Sequence, residues 1–294
     1  MVLTGARERS ITVGGRILHY RDWGGVGRPM VLVHGMASNP HFWEWTAPEF
    51  AKGYRVVAPH MRGHGLQSCL GGDFDFDSVV EELRSFVDAM GLESPIMVGH
   101  SWGGSVVVYY ATRYPWDVSA LGLVDGGLLD FARGAKISLQ ELKYFMTPPD
   151  LTGLTRDKLL ERAQTWSLGE VWGSKAEDLL MGSYYVNQDG TITPRLDTGD
   201  HHRLAEAAWA YDFQELVQLI QCPVLVLATD HPHPPNLLSD RIRSAKVEAT
   251  DLLRHYIPGA EIVWMLGAHH NVPVHRPRET SEAVLGFLKR NLPR

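Results

Sequence analysis

Cysteine is scarce in this sequence of 294 residues, which contains only Cys69 and Cys222. Two cysteines cannot form the disulfide framework of a small secreted protein, and neither has the spaced cysteine or histidine partners of a zinc site. We therefore expect no bound metal. Because free thiols are typical of a reducing compartment, the sequence predicts a cytoplasmic protein.

Long apolar runs are absent as well. No stretch reaches the roughly 18 consecutive apolar residues that a membrane span needs. The first nine residues, Met1 to Arg9, are polar and lack the apolar segment of a secretory signal. We therefore expect neither membrane insertion nor export.

The sequence also lacks an excess of basic residues, and its formal net charge is −6. This charge gives nucleic acid no attractive field, so we expect no nucleic-acid partner. The small basic group Arg241, Arg243 and Lys246 is interpreted as the solvated face of a helix. No phosphate-binding loop and no strand-borne G-x-G-x-x-G occurs, so no cofactor is expected. Whether the chain forms a homo-oligomer stays open.

What the sequence does have is an alternation of short apolar runs and helical patterns. This alternation predicts a single α/β domain whose mostly parallel sheet is flanked by helices on both faces. The predicted strands are Ile11 to Tyr20, which is interrupted at Gly14-Gly15, and then Met30 to Val33, Tyr54 to Ala58, Ile96 to Val98, Ala120 to Val124, Pro223 to Ala228 and Glu261 to Leu266. The predicted helices are Phe76 to Met90, Gly103 to Tyr114 and about Glu279 to Leu292.

The pattern changes between Leu128 and Val217, where helical spacing dominates and aromatic residues are frequent. We interpret residues 128–217 as a helical insertion, here called the predicted cap, in a core domain made of residues 1–127 and 218–294. The aromatic side chains either form the core of this insertion or line an apolar pocket.

The strongest chemical signal is the motif Gly99-His100-Ser101-Trp102-Gly103, which lies between the predicted strand at Ile96 and the predicted helix at Gly103. A G-x-S-x-G sequence between a strand and a helix forces the serine onto a sharp, strained turn that exposes its hydroxyl at the end of the sheet. The context therefore predicts that Ser101 is a nucleophile.

Acyl transfer to a serine also needs two donors for the oxyanion. One is expected from the backbone N–H of Trp102, the residue after the nucleophile. The other must come from a loop after a neighbouring strand, and His34-Gly35-Met36 follows such a strand. We therefore predict the Met36 N–H as the second donor, and His34, Gly35 and Trp102 as residues that contact substrate.

The general base should be a histidine after the last strand, and His269 and His270 both follow Glu261 to Leu266. The acid should follow another strand, because it must accept a hydrogen bond from the far nitrogen of that imidazole. Asp125 ends one predicted strand and Asp230 follows another. The residues alone leave both choices open.

Taken in order, Val33-His34-Gly35, Arg62-Gly63-His64-Gly65, the motif around Ser101 and the late histidine resemble the α/β-hydrolase superfamily. The resemblance covers about Ile11 to Asp125 and Cys222 to the end. It implies a Ser-acid-His triad and a variable cap or lid between these two parts. The run that begins at His270 is similar to the family's stretch after its catalytic histidine, so the resemblance implies His270 rather than His269.

The resemblance also bears on the acid. Members that take the acid from the seventh strand carry an aspartate where this chain has Pro232, whereas members that take it from the sixth strand carry it where Asp125 lies. It therefore implies Asp125, with Asp230 as the alternative. The same arrangement is seen in zearalenone-type lactonases, which suggests a bulky lactone or aromatic ester as substrate.

A serine nucleophile argues against the epoxide hydrolases and haloalkane dehalogenases of the fold, which use aspartate at that position. We therefore expect hydrolysis of a small apolar ester or lactone through an acyl-enzyme on Ser101. Two alternatives are a carbon–carbon bond hydrolase of the same fold and a non-catalytic receptor for a small ligand.

Overall fold

The computed structural model describes residues 5–67, 72–230 and 237–292. Its largest element is a sheet of eight strands, to which the segment from 128 to 217 contributes none. The strands of this sheet are β1 (Arg7–Val13), β2 (Arg16–Gly24), β3 (Pro29–Val33), β4 (Arg55–Pro59), β5 (Ile96–His100), β6 (Ala120–Val124), β9 (Val224–Thr229) and β10 (Glu261–Met265). A separate pair is formed by β7 (Tyr184–Val186) and β8 (Ile192–Pro194).

The order of the strands in the large sheet is β1-β2-β4-β3-β5-β6-β9-β10. The hairpin of β1 and β2 joins the sheet antiparallel through β4, and the six strands from β4 to β10 in that order are parallel. The carboxyl ends of β5, β6 and β9 therefore lie side by side at one edge of the sheet. This is where an open α/β sheet places its functional loops.

Helices cover both faces of the sheet. In the described part of the chain the helices are α1 (Ala47–Phe50), α2 (Phe76–Ala89), α3 (Trp102–Arg113), α4 (Leu139–Met146), α5 (Arg156–Ala163), α6 (Ser174–Met181), α7 (Thr198–Trp209), α8 (Phe213–Val217), α9 (Leu237–Tyr256), α10 (Val272–His275) and α11 (Pro277–Asn291). Short 3₁₀ turns occur at Pro40–Trp43, Gly65–Gln67 and Ser167–Val171.

Alternate residues of the central strands enter two separate apolar clusters. Val31 and Val33 of β3 pack in the cluster that includes side chains from α2 and α3, whereas Met30 and Leu32 pack in the cluster that includes side chains from α1 and α11. A parallel strand buried on both faces is apolar throughout, which explains why these runs were readable in the sequence. The predicted fold class is thus confirmed.

Some elements differ from the prediction. The predicted strand Ile11 to Tyr20 is a hairpin of two longer strands that turn at Gly14-Gly15, where both glycines have positive φ. The 20-residue helix α9 was expected only as a helix around its basic residues, without bounds. Its first turn follows a proline-rich run, and charged side chains separate its apolar positions.

The predicted cap contains helices α4 to α8 and the small pair β7–β8. Leu204, Tyr211 and Phe213 from this segment lie in the same apolar cluster as α2 and α3, so the segment packs directly on the sheet's helices. No helix in the described ranges is both long and apolar enough to cross a bilayer.

Candidate active site

Ser101 lies on a one-residue corner between β5 and α3. Its φ is 53° and its ψ is −124°, a region that is strained for any residue with a side chain. The corner is held by two backbone hydrogen bonds, from Ser101 N to Val124 O at 3.1 Å and from Gly104 N to Ser101 O at 2.9 Å. The hydroxyl is thereby fixed at the end of the sheet, beside the amino end of a helix of 12 residues.

Two glycines allow the loops to approach this corner closely. A Cβ atom on Gly103 would overlap the carbonyl oxygen of Val33 at the end of β3, and one on Gly126 would overlap the backbone of Ser101 itself. Larger residues at either position would therefore displace main chain rather than a flexible side chain. The loops that follow β3, β5 and β6 meet at Ser101 through backbone contacts.

His270 and Asp125 are joined directly. The two residues are 145 positions apart, and His270 Nδ1 lies 2.5 Å from Asp125 Oδ2. Because a carboxylate only accepts hydrogen bonds, Nδ1 carries the proton and Nε2 is the basic nitrogen. Ser101, Asp125 and His270 all line one cavity.

The carboxylate of Asp125 is enclosed, with 1% of its side chain exposed. It also accepts hydrogen bonds from Thr229 at the end of β9, at 3.0 Å from the backbone N and 2.8 Å from Oγ1. A fourth donor is Lys246 Nζ, which lies 2.6 Å from Oδ1. Burial alone would raise the pKa of Asp125, but the hydrogen bond from His270 and the charge of Lys246 outweigh it and hold that pKa well below its usual range.

The interpretation of Arg241, Arg243 and Lys246 as one solvated face was wrong for Lys246. Arg241 on α9 pairs with Glu141 of the predicted cap, whereas Arg243 and Lys246 line the cavity. In a helix, residues three positions apart lie on one side, and residues two apart do not. Arg243 and Lys246 are three positions apart and Arg241 and Arg243 are two apart, so the spacing in the sequence already placed Arg241 on a different side of the helix from Arg243 and Lys246.

The two alternative site residues are placed elsewhere. His269 lies 3.5 Å from Glu170, its ring centroid is 4.8 Å from that of His275, and it is not among the residues that line the cavity. Asp230 does line the cavity, but its Oδ1 accepts a hydrogen bond from Gly267 N at 2.6 Å. The imidazole of His270 contacts Asp125 instead.

A buried histidine supports the loop that carries His270. His100 Nε2 lies 3.0 Å from the carbonyl oxygen of His270, which accepts the hydrogen bond, and its ring stacks on Phe42 at 4.2 Å. Burial, together with the neighbouring His270, lowers the pKa of His100 to about 3. His100 is therefore neutral near pH 7 and adds no charge to the site. Sequence reasoning did not assign it this contact.

The predicted oxyanion residues also come together. Met36 and Trp102 line the cavity with Ser101, and a Cβ atom on Gly35 would lie 3.1 Å from the Cβ of Ser101. His34 is fully buried, with its Nδ1 donating to Gly35 O and its Nε2 accepting from Met61 N. The structure thus places His34 and Gly35 behind the loop and not among the cavity-lining residues.

The cavity has a volume of about 360 Å³ and opens between the sheet edge, α9 and the predicted cap. The other apolar residues of its lining come from the predicted cap and from α9. These apolar residues are Leu129, Phe131, Phe145, Met146, Ala208 and Ile242. The polar ones include Ser105, His201, Ser239 and Arg243. In the described ranges no group of three or more His, Cys, Asp or Glu side chains could hold a metal ion.

The family model whose description is the alpha/beta hydrolase fold matches residues 28–260. Over 108 residues the chain is 35% identical to the bifunctional esterase/perhydrolase DCH of Acinetobacter calcoaceticus, and this alignment covers 36% of the chain and 39% of that relative. The chain is also 25% identical over 293 residues to Epoxide hydrolase 3 of Xenopus tropicalis, covering 92% of the chain and 74% of the relative.

Solved structures give the same fold at lower identity. The chain superposes on the crystal structure of E-2-(acetamidomethylene)succinate hydrolase with a TM-score of 0.79 and 18% identity, covering 97% of this chain and all of that one. The similarity extends over the predicted cap as well as the sheet, because so little of either chain is left out.

Proposed function

The chain belongs to the alpha/beta hydrolase family, and from that premise we propose that it is a serine hydrolase that cleaves a carboxylic ester or lactone. The observation that carries the proposal is one cavity lined by Ser101 on its strained corner and by the hydrogen-bonded pair of His270 and Asp125. A nucleophile, a base and an acid in one cavity form the set that acyl transfer requires.

In the first half of the reaction Ser101 Oγ attacks the carbonyl carbon while its proton passes to His270 Nε2. The imidazolium that forms is stabilised through Nδ1 by Asp125. The negative charge on the carbonyl oxygen is met by the backbone N–H groups of Met36 and Trp102. His270 then gives its proton to the leaving oxygen, and the acyl group remains on Ser101.

In the second half water attacks the acyl-enzyme. His270 Nε2 takes a proton from this water, and the tetrahedral intermediate collapses by breaking the bond between the acyl carbon and Ser101 Oγ. His270 returns the proton to Oγ, which releases the acid and restores the Ser101 hydroxyl. For a lactone, the alcohol and the acid are parts of the same product. The imidazole of His270 accepts and returns the proton in both halves, so the proton transfers need no second base.

The lining of the cavity supports an apolar substrate with an aromatic or bulky acyl part, because Phe131, Phe145 and Met146 line the same cavity as Ser101 and His270. The esterase activity in the name of the Acinetobacter relative supports ester hydrolysis. The Xenopus relative is an epoxide hydrolase, but a serine at the nucleophile position of this chain favours a carbonyl substrate over an epoxide.

The experiment is the replacement Ser101→Ala, assayed with a series of p-nitrophenyl esters and lactones of graded size. We expect kcat/KM to fall by about 10⁵-fold, because the nucleophile and the base act as one unit. The circular dichroism spectrum should be unchanged. Ser85→Ala on α2, whose hydroxyl bonds Glu81 O, is the matched control and should retain full activity.

A fluorophosphonate probe separates the alternatives. Labelling of Ser101 without turnover of any ester or lactone would favour a receptor. Turnover of a vinylogous diketone in preference to aryl esters would favour a carbon–carbon bond hydrolase. Undiminished ester turnover by Ser101→Ala would contradict the proposed mechanism.

A further inference from the structure

The acid of the site forms an ion pair with a lysine. Lys246 reaches from α9 to Asp125, with 2.6 Å between Nζ and Oδ1, and its Nζ lies 3.4 Å from the carbonyl oxygen of Thr229. The Lys246 side chain is 14% exposed and that of Asp125 is 1% exposed. An ion pair so well shielded from water is screened much less than one on the surface.

We propose that Lys246 is a positioning residue that acts through Asp125, fixing the carboxylate and offsetting its charge where it meets the imidazole of His270. The inference rests on the proposed function, because it assigns a role within the same triad. Lys246 touches neither the nucleophile nor the oxyanion donors in this role.

The physical reason lies in the charge that the imidazole sees. In a triad with a lone carboxylate, the negative charge favours the imidazolium and keeps the histidine protonated to a higher pH. Here Oδ2 of Asp125 receives His270 while Oδ1 receives Lys246. The ammonium offsets part of the carboxylate's field at the imidazole and leaves its hydrogen bond in place.

Among the residues that the structure describes, the other ionisable groups around the pair do not supply this cation. His100 is neutral, since burial lowers its pKa to about 3, and burial also lowers the pKa of His201. Arg243 is exposed on α9, and Asp230 at the end of β9 bears the opposite charge. Lys246 is therefore the cation in direct contact with the acid.

A merely structural role for Lys246 predicts something else. Lys246 also ties α9 to the ends of β6 and β9, and loss of that tie alone would lower stability and reduce activity by the same factor at every pH. The charge role instead changes the pH at which activity is lost on the acidic side. A pH profile is therefore the readout that separates the two.

The test compares Lys246→Met, which keeps the length of the stem and removes the charge, with Lys246→Arg, which keeps the charge. The rate of Ser101 labelling by a fluorophosphonate is measured from pH 4 to 9, with kcat/KM for an aryl ester over the same range. Labelling needs an activated nucleophile but no release of an acyl group, so it can be measured even where no ester is turned over.

We expect the acidic limb of Lys246→Met to move about one pH unit upward, as removal of one nearby charge does, and that of Lys246→Arg to coincide with wild type. At a pH below the wild-type midpoint this shift is roughly a tenfold loss that is recovered at high pH. Melting curves verify that each variant is folded, and Lys246→Gln replaces Lys246→Met if the latter does not fold.

Two results overturn the inference: an acidic limb of the uncharged variant that coincides with wild type, or one that moves equally in Lys246→Arg. Failure of the proposed function looks different, because the wild-type protein would then turn over no ester or lactone at any pH, whether or not Ser101 is labelled.

Discussion

Asp125 and Asp230 stand at the ends of neighbouring parallel strands, and they differ in nearly everything except residue type. Asp125 directly follows β6, has a φ of 42° and accepts four hydrogen bonds in an enclosed position. Asp230 directly follows β9, is half-buried and accepts a hydrogen bond from Gly267 N. Equal places at a sheet edge do not give equal chemistry.

The difference comes from how the two strand ends cooperate. Thr229, the last residue of β9, gives both its backbone N–H and its hydroxyl to Asp125. The end of β9 therefore supplies hydrogen-bond donors to Asp125, the acid at the end of β6. Asp230 instead accepts from Gly267 N and holds the turn that leads toward His270. One aspartate is positioned to stabilise a charge on the imidazole, and the other positions the loop.

The largest loss of activity is expected from Asp125→Asn. The amide cannot stabilise the imidazolium and favours the wrong tautomer of His270, so kcat should fall by about 10⁴-fold. The measurement is steady-state turnover of an aryl ester, with fluorophosphonate labelling as a second readout. A loss below tenfold would show that Asp125 is not the acid.

A smaller effect is expected from Thr229→Val, which keeps the shape of the side chain and removes only the hydroxyl. Asp125 Oδ2 then loses one of its donors, and the free energy of unfolding should fall by about 1.5 kcal/mol. We expect kcat to fall roughly tenfold, because loss of the same hydrogen bond leaves the carboxylate of Asp125 less firmly positioned against His270. Urea denaturation and initial rates measure the two quantities. Thr250→Val, whose hydroxyl bonds Val247 O within α9, is the matched control for the rate.

The smallest effect is expected from Asp230→Asn. Asparagine keeps an oxygen that accepts from Gly267 N, so the turn is retained and kcat should change by less than about threefold. Measured beside Asp125→Asn under the same conditions, it decides between the two aspartates. Equal losses of kcat in both variants would mean that the hydrogen bond between His270 and Asp125 does not identify the acid of the site.

The sequence predicted the structure best where the backbone conformation or burial restricts which residues can be present. The strained corner at Ser101 needs small neighbours, and the central strands need apolar residues on both faces, so a short motif between a strand and a helix predicted the geometry found here. His270 and Asp125 could be placed at strand ends from their positions alone. Their contact is consistent with the predicted triad, whose roles stay a prediction.

The unreadable parts depend on contacts between distant segments. Lys246 is 121 positions from Asp125, and a lysine in a helix of mixed charge carries no mark of the carboxylate it faces. The boundaries of the predicted cap are similarly weak, because Leu204 and Phe213 pack into the cluster of the sheet while neighbouring helices form clusters of their own. Such packing leaves no period in the sequence.

The close backbone contacts at Gly103 and Gly126 make reactivity and selectivity separable in this chain. The corner is fixed by main chain pressed on main chain, so its shape does not depend on which side chains coat the far wall of the cavity. Exchanges at Phe131, Phe145 or Met146 can therefore redirect the enzyme toward new molecules while the machinery that breaks the bond stays put. A scaffold built this way can acquire new substrates through substitutions in the cavity wall, while the backbone around Ser101 stays unchanged.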